Sequence, residues 1–151
     1  MANFTVEING LSELRAAFKK APAKFVKIFD GSIKKAVYIL EKKAKELAPR
    51  DRGFLYGGEA MKTSFSALSG KLENTAKYAV FVHEGTKPHF PPLKAIKGWA
   101  DRHGIPAFMV TRSIAKKGTK AVLFFTEAGE QSKEEIDSIF EKALLEFNQS
   151  F

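Results

Sequence analysis

The chain has 151 residues, of which 44% are hydrophobic and 28% are charged, and its formal net charge is +8. No apolar run approaches the roughly 18 residues of a membrane-spanning helix, and the first residues lack the layout of a signal peptide, so neither is expected. There is no cysteine, which excludes disulfides and thiolate metal sites and fits a cytoplasmic location. The length suits one domain, predicted over residues 1–151.

The N-terminal part predicts a strand followed by two helices. Phe4–Ile8 alternates apolar and polar residues, as in a half-buried strand, and residues 11–20 indicate a short helix. Residues 22–48 predict a long helix that Pro49 ends. Its apolar residues recur at spacings of three and four, and its lysines lie on the opposite side. The apolar stripe is Phe25, Phe29, Ile33, Ala36, Val37, Leu40, Ala44 and Leu47.

The middle of the chain predicts a loop, a hairpin and a short helix. Residues 49–59 are rich in glycine and indicate a flexible loop, which either orders against a partner or folds onto its own domain. Residues 60–68 and 71–76 predict a hairpin that turns at Ser69-Gly70. Residues 78–84 fit a strand or a helix, and the position of Gly85 favours the helix.

The C-terminal half predicts three further helices and one strand. Residues 93–103 and 106–117 indicate short helices that end at Gly104 and Gly118. Residues 119–126 read as a strand, and Ser132 to Glu135 form a capping box that opens an acidic helix over 132–148. The predicted class is α+β: a small, mostly antiparallel sheet packed by the long N-terminal helix and the C-terminal helix, with short helices in the 88–118 segment.

Charge is distributed unevenly. Residues 1–50 carry 11 basic and 5 acidic residues, residues 51–126 carry 12 and 5, and residues 127–151 carry 2 and 7. A basic body with an acidic tail helix suits head-to-tail contact between copies, and is equally typical of an ordinary protein with an uneven surface.

No arrangement of residues indicates catalysis. His83-Glu84 suggests a metalloprotease pair, but the next histidine, His89, is six residues on and beyond Gly85 and Pro88, so one helix cannot present both to a metal. No nucleophile elbow and no phosphate-binding loop is present. The sequence therefore predicts a protein that is not an enzyme, with no catalytic residue, metal or cofactor. A hydrolase using His83 and Glu84 stays as an alternative that metal analysis of the purified protein would test.

Nucleic-acid binding is the main alternative function. The lysines of the long helix could neutralise phosphates, and residues 116–120 and 50–52 add further basic groups. Two points weigh against it. A lysine face is usual on an amphipathic helix, and basic residues interleaved with exposed aromatics are not evident in the sequence.

Three landmarks together resemble a family of phage proteins. The long helix ends in Ala48-Pro49 before the loop of residues 50–55; a Tyr-Ala to Glu-Gly-Thr block follows at residues 78–86; and residues 114–120 lead into an aromatic stretch at 124–128. This order is similar to the minor tail components, or tail-completion and head–tail joining proteins, of long-tailed bacteriophages and prophages. The resemblance covers roughly residues 35–130. This chain departs from the family pattern in two places. Arg52 stands where a threonine is usual before Gly53, and residues 87–113 contain an additional helical segment with Trp99.

The resemblance implies a structural role in virion assembly, through rings of identical copies and contacts with other neck or tail proteins, without a membrane. It implies assembly in the host cytoplasm and then a place in the virion. The residues that match the structural motif are Tyr78, Glu84, Gly85, Thr86, Gly118 and Thr119. The candidate contact loop holds Arg50, Arg52, Gly53 and Leu55. Tyr78 is expected to pack inward, because it precedes apolar residues.

The segment charges suggest one further hypothesis of our own. The acidic last helix of one copy would meet the lysine stripe of a neighbour, and salt would weaken that contact. The candidate residues for this inter-subunit contact are Lys27, Lys34, Lys42, Glu134 and Glu141.

Overall fold

A computed structural model of the chain describes residues 4–7 and 23–149. The elements are β1 (Phe4–Glu7), α1 (Ala23–Leu47), β2 (Met61–Ser66), β3 (Ser69–Asn74), α2 (Ala79–Glu84), α3 (Leu93–Arg102), α4 (Ala107–Lys117) and α5 (Phe124–Asn148). The predicted α+β class is confirmed. The helix predicted over residues 11–20 lies outside the described residues.

The described residues form two compact units. The first unit contains the described residues up to Ala79 together with those from Phe124 onward, and the second unit is the continuous segment Val80–Leu123. The single domain over residues 1–151 stays a prediction. None of the described helices is both long enough and apolar enough to cross a membrane.

The sheet of the first unit is antiparallel, with strand order β1-β3-β2. The predicted hairpin is confirmed, but its turn is Ala67-Leu68, because Ser66 pairs with Ser69. Leu68 takes the left-handed conformation there, with a φ of 54°. Gly70 lies within β3 for a different reason: a Cβ at this position would lie only 2.9 Å from Cγ2 of Ile33. The absence of a side chain at Gly70 therefore permits close packing of α1 on the sheet.

Helix α1 is the central element of the first unit. It contacts both strands of the hairpin and packs along α5. The predicted apolar stripe is buried from Phe25 to Ala44, and the helix runs through Gly31 without a break. Phe25 meets Phe147 edge-on with ring centres 4.6 Å apart, and Phe29 lies 6.5 Å from Phe140, so the two helices run antiparallel.

Helix α5 begins earlier than the sequence predicts. The strand expected over 119–126 is wrong, since Phe124 already belongs to the helix. Phe124, Ala128 and Ser132 are buried at spacings of four, which places them on one helical face. Ser132 is thus an interior residue of α5, and the capping box predicted at this position is wrong. A short apolar run such as residues 122–125 fits a strand or a buried helix equally well, and its period cannot decide between them.

Candidate functional site

The two Gly-Thr pairs of the chain meet in the second unit. Thr86 and Thr119 form an antiparallel bridge in which each backbone N–H donates to the other residue's carbonyl oxygen at 3.1 Å. Their hydroxyl oxygens lie 3.0 Å apart, and the Thr119 N–H also lies 3.2 Å from Oγ1 of Thr86. We call Gly85, Thr86, Gly118 and Thr119 the Gly-Thr clasp.

Both glycines of the clasp are required by geometry. Gly85 has a φ of 72°, and a Cβ there would collide with the Thr119 carbonyl oxygen and lie 2.8 Å from the Ala121 nitrogen. Gly118 has a φ of 71° and a ψ of −158°, a region that essentially only glycine occupies. A Cβ on Gly118 would collide with the Thr86 carbonyl oxygen. The backbones therefore approach as closely as they do only because neither residue carries a side chain.

The clasp also completes the end of α2. The last carbonyls of a helix lack partners within it. Here the Val122 N–H donates to the Val82 carbonyl at 3.1 Å, and the Leu123 N–H donates to the His83 carbonyl at 3.0 Å. The segment after Thr119 thus runs along the end of α2, and a helix of only six residues gains partners that it could not supply itself.

His83 and Glu84 are the last two residues of α2. His83 is buried, and burial lowers the pKa of its imidazole while the neighbouring Glu84 carboxylate opposes that shift only in part. Glu84 is exposed. No group of three or more metal-ligating side chains is found among the residues that the structure describes.

Tyr78 precedes α2 and belongs to the first unit. The expectation that it packs inward is wrong, since 44% of it is exposed. Partial burial of the phenol and the nearby Asp51 carboxylate raise the pKa of Tyr78. A half-exposed aromatic side chain is available for contact, whereas a buried one is not.

The loop of residues 49–59 folds back onto the first unit. Leu55 is buried and Phe54 beside it is 62% exposed, so the side chain able to reach a partner is Phe54. Sequence reasoning missed Phe54, since a loop has no periodicity to tell inward from outward residues. Gly53 has a φ of 82° and its carbonyl accepts the Gly57 N–H at 2.8 Å. The flexibility of this loop stays a prediction.

A buried amide holds the loop in place. The Asn74 Nδ2 donates to the Leu55 carbonyl at 2.6 Å, and the Asn74 Oδ1 accepts the Ala76 N–H at 3.0 Å. Arg50 lies over the ring of Tyr56 at 5.4 Å, and Arg52 is exposed. Nothing in the sequence pairs Asn74 with a loop 19 residues earlier.

The charged candidates lie on exposed surfaces of the first unit. The Lys34 ammonium lies 2.8 Å from the Asp30 carboxylate of its own helix, and that hydrogen bond raises the pKa of Lys34. Lys27 and Lys34 line an open groove of about 430 Å³ between α1 and the end of β2. Lys42, Glu134 and Glu141 are exposed.

The second unit exposes far more apolar surface than the sequence indicates. Of its 44 residues, only His83, Pro91, Ala100 and Thr111 are buried. The exposed large apolar side chains are Phe81, Phe90, Leu93, Trp99, Ile105, Phe108, Met109 and Leu123. The same segment carries eight basic and two acidic residues. The expectation that basic groups are not interleaved with exposed aromatics is therefore wrong for this segment.

Large exposed apolar patches mark sites of contact with other macromolecules, membranes or ligands. Residues 12–85 match the family model described as "Bacteriophage HK97-gp10, putative tail-component". The match assigns this segment, about half of the chain, to that family of phage tail components, and it confirms the resemblance inferred from the sequence. It ends at Gly85, ahead of the additional segment with Trp99. No curated protein and no solved structure gives a significant match to the chain.

Proposed function

We propose that this protein is a structural, non-catalytic component that completes or joins the phage tail at the head–tail junction. The observation that carries the proposal is the match of residues 12–85 to a family of tail components. In this proposal the protein assembles in the host cytoplasm as a ring of identical copies. It then contacts other neck or tail proteins and stays in the virion.

The exposed faces support a contact role for both units. Monomeric proteins rarely leave contiguous apolar patches of more than a few hundred Å² open to water, and larger patches mark interaction sites. Phe90, Phe108 and Met109 are each more than half exposed. In our proposal the second unit supplies one contact surface, and the first unit supplies another around Phe54 with Arg50 and Arg52.

The Gly-Thr clasp acts in this proposal as a joint and makes no direct partner contact. It ties the end of α2 to the segment after α4. A joint of this kind holds the intervening residues 87–117 as one presented loop of two helices. Glu84, which precedes Gly85, is exposed and adds to the contact surface of the second unit, while exposed Tyr78 adds to that of the first.

Deletion of the gene from the phage genome tests the proposal. Electron microscopy of the lysate is expected to show filled heads and separate tails, with complete virions restored by the gene supplied in trans. A lysate of joined, infectious particles without the gene would contradict the head–tail role. Tails of abnormal length with intact junctions would place the protein elsewhere in the tail.

Nucleic-acid binding is the second candidate, and one observation favours it. Exposed aromatic residues of the second unit, Phe90, Trp99 and Phe108, stand among basic residues, as in surfaces on which bases stack. Filter binding to single- and double-stranded DNA across a salt series tests it. A steep loss of affinity with salt supports this function, since each phosphate contact releases counterions. Weak binding without such a slope removes it.

A further inference from the structure

Helix α4 presents a mixed apolar and basic face to solvent. Phe108, Met109, Arg112 and Lys116 fall within an arc of about 100° at 3.6 residues per turn. All four are exposed, and Phe108 and Met109 are 57% and 61% exposed. The opposite side of the helix holds Thr111, which is buried. Arg112 and Lys116 form no ion pair with any described residue. The face therefore offers two large apolar groups followed, one and two turns later, by two cations.

Helix α5 presents a face with the reverse pattern. Asp137, Glu141, Leu144 and Leu145 also fall within an arc of about 100°, next to the side on which Phe140 and Phe147 pack against α1. All four are exposed, and Leu144 and Leu145 are 49% and 59% exposed. Glu141 has no ion pair with a described residue, and Asp137 accepts only an exposed bond from Lys133 at 2.9 Å. Such exposed pairs within a helix contribute little stability and exchange readily.

We infer that the α4 face of one copy docks antiparallel on the α5 face of a second copy of this chain. In this register the apolar residues Phe108 and Met109 lie opposite Leu145 and Leu144. One turn further, Arg112 lies opposite Glu141, and two turns further Lys116 lies opposite Asp137. The inference rests on the proposed function and names the surfaces by which the copies of the ring meet.

The spacing on each helix is what makes this register possible. On each face one charge lies one turn from the apolar pair and a second charge lies two turns from it. On α4 the charges follow the apolar pair in the chain, and on α5 they precede it. An antiparallel arrangement therefore matches every apolar group with an apolar group and every cation with a carboxylate. A parallel arrangement would place the leucines beside the cations and leave the carboxylates beside Phe108 and Met109.

The sequence suggested that the acidic last helix meets the lysines of α1 in a neighbouring copy, whereas the structure favours the basic residues of α4. The lysines of α1 lie on a face without a large apolar pair like that of α4, and several have carboxylate partners on their own helix. Lys34 pairs with Asp30, Lys45 pairs with Glu41, and Lys43 lies 3.2 Å from Glu46. The α1 face thus lacks the apolar pair that would meet Leu144 and Leu145, since Tyr38 is the one exposed large apolar side chain among the described residues of that helix.

A contact between two different faces is heterologous, so it propagates from copy to copy and closes into a ring if the rotation allows. Two helix faces of this size bury less surface than the roughly 1,200–2,000 Å² of a stable pairwise complex. Isolated copies are therefore expected to associate weakly and to dissociate as salt increases, while ring closure adds stability that one junction lacks.

Paired charge reversals test the contact by sedimentation across protein and salt concentrations. One variant carries Arg112→Glu and Lys116→Glu, and the other carries Asp137→Lys and Glu141→Lys. Each variant alone is expected to associate at least about tenfold more weakly, since it places like charges together at every junction. Mixed in equal amounts, the two variants regain association, because every junction between unlike copies is again complementary. The matched control, Lys27→Glu with Lys42→Glu, makes the same charge change on α1 and keeps the association of the unaltered chain.

Three outcomes would overturn the inference. The first is an unaltered chain that stays at the 16.8 kDa of one copy at every concentration. The second is a mixture of the two variants that fails to regain association. The third is loss of association in the α1 control, which would return the contact to the lysines of α1. DNA binding that is lost with Arg112→Glu and Lys116→Glu, in a chain that remains monomeric, would assign the α4 face to nucleic acid. None of these outcomes bears on whether heads and tails join, which the gene deletion measures separately.

Discussion

Replacing Gly118 by alanine tests the Gly-Thr clasp most sharply. The residue has a φ of 71° and a ψ of −158°, and an alanine held there costs about 1–3 kcal/mol in backbone strain. Its Cβ would also collide with the Thr86 carbonyl oxygen. The two strands of the clasp must then separate, which breaks two backbone hydrogen bonds of 3.1 Å at about 1 kcal/mol each. The expected total is about 3–5 kcal/mol.

Gly104→Ala is the matched control. Gly104 also has a positive φ, 65°, and follows a helix of the second unit, but nothing lies within 4 Å of its hypothetical Cβ. Its substitution is expected to cost only the left-handed strain, about 1–2 kcal/mol. The difference between the two variants therefore isolates the close approach of the backbones.

Urea denaturation and amide hydrogen exchange measure the two variants. In Gly118→Ala, the amides of Thr86 and Thr119 are expected to exchange at least about 100-fold faster than in the unaltered chain, since 1.4 kcal/mol corresponds to a factor of ten. In Gly104→Ala they stay protected to within about tenfold. Equal losses of unfolding free energy in the two variants would contradict the role assigned to the clasp. Unchanged protection of the Thr86 and Thr119 amides in Gly118→Ala would contradict it as well.

Three further predictions concern single residues. Asn74→Ala removes hydrogen bonds to the Leu55 carbonyl and from the Ala76 N–H, and is expected to lower the free energy of unfolding by about 2–3 kcal/mol in urea titrations. Unchanged stability would contradict its role in holding the loop. Burial lowers the pKa of His83, so the unfolded chain binds more protons near that pKa. The free energy of unfolding is then expected to be highest above about pH 6.5 and to decrease as the pH drops towards the pKa of His83 in the folded chain. His83→Gln should make the free energy of unfolding less dependent on pH in this range. Phe54→Ala is expected to leave stability within about 0.5 kcal/mol but to reduce the yield of joined particles, whereas Leu55→Ala should cost about 2–5 kcal/mol. The reverse ranking of stability losses would contradict the assigned orientations.

Regular helices were the part of the fold that the sequence predicted best. The apolar stripe from Phe25 to Ala44 is long enough to fix the phase of α1, and α4 ends where a glycine stands. The short run Val122–Phe125 lacked that length. Its last two residues open α5, and only the burial of Ala128 and Ser132 at helical spacing reveals this.

The contact surfaces were less predictable because they depend on tertiary position. The two Gly-Thr pairs are visible in the sequence, but no local rule pairs residues 33 positions apart. Phe54 and Leu55 are neighbours of similar character, and one is exposed while the other is buried. On α4, Phe108 and Met109 lie out of phase with Ile114, a signal that could have marked them as surface residues.

Locating the protein in purified virions tests the central claim most directly. A chain tagged after residue 149 and labelled with gold is expected to appear at the head–tail junction, with several labels per particle at one level, as a ring of copies requires. Labels spread along the tail, or virions that contain none of the protein, would contradict the account.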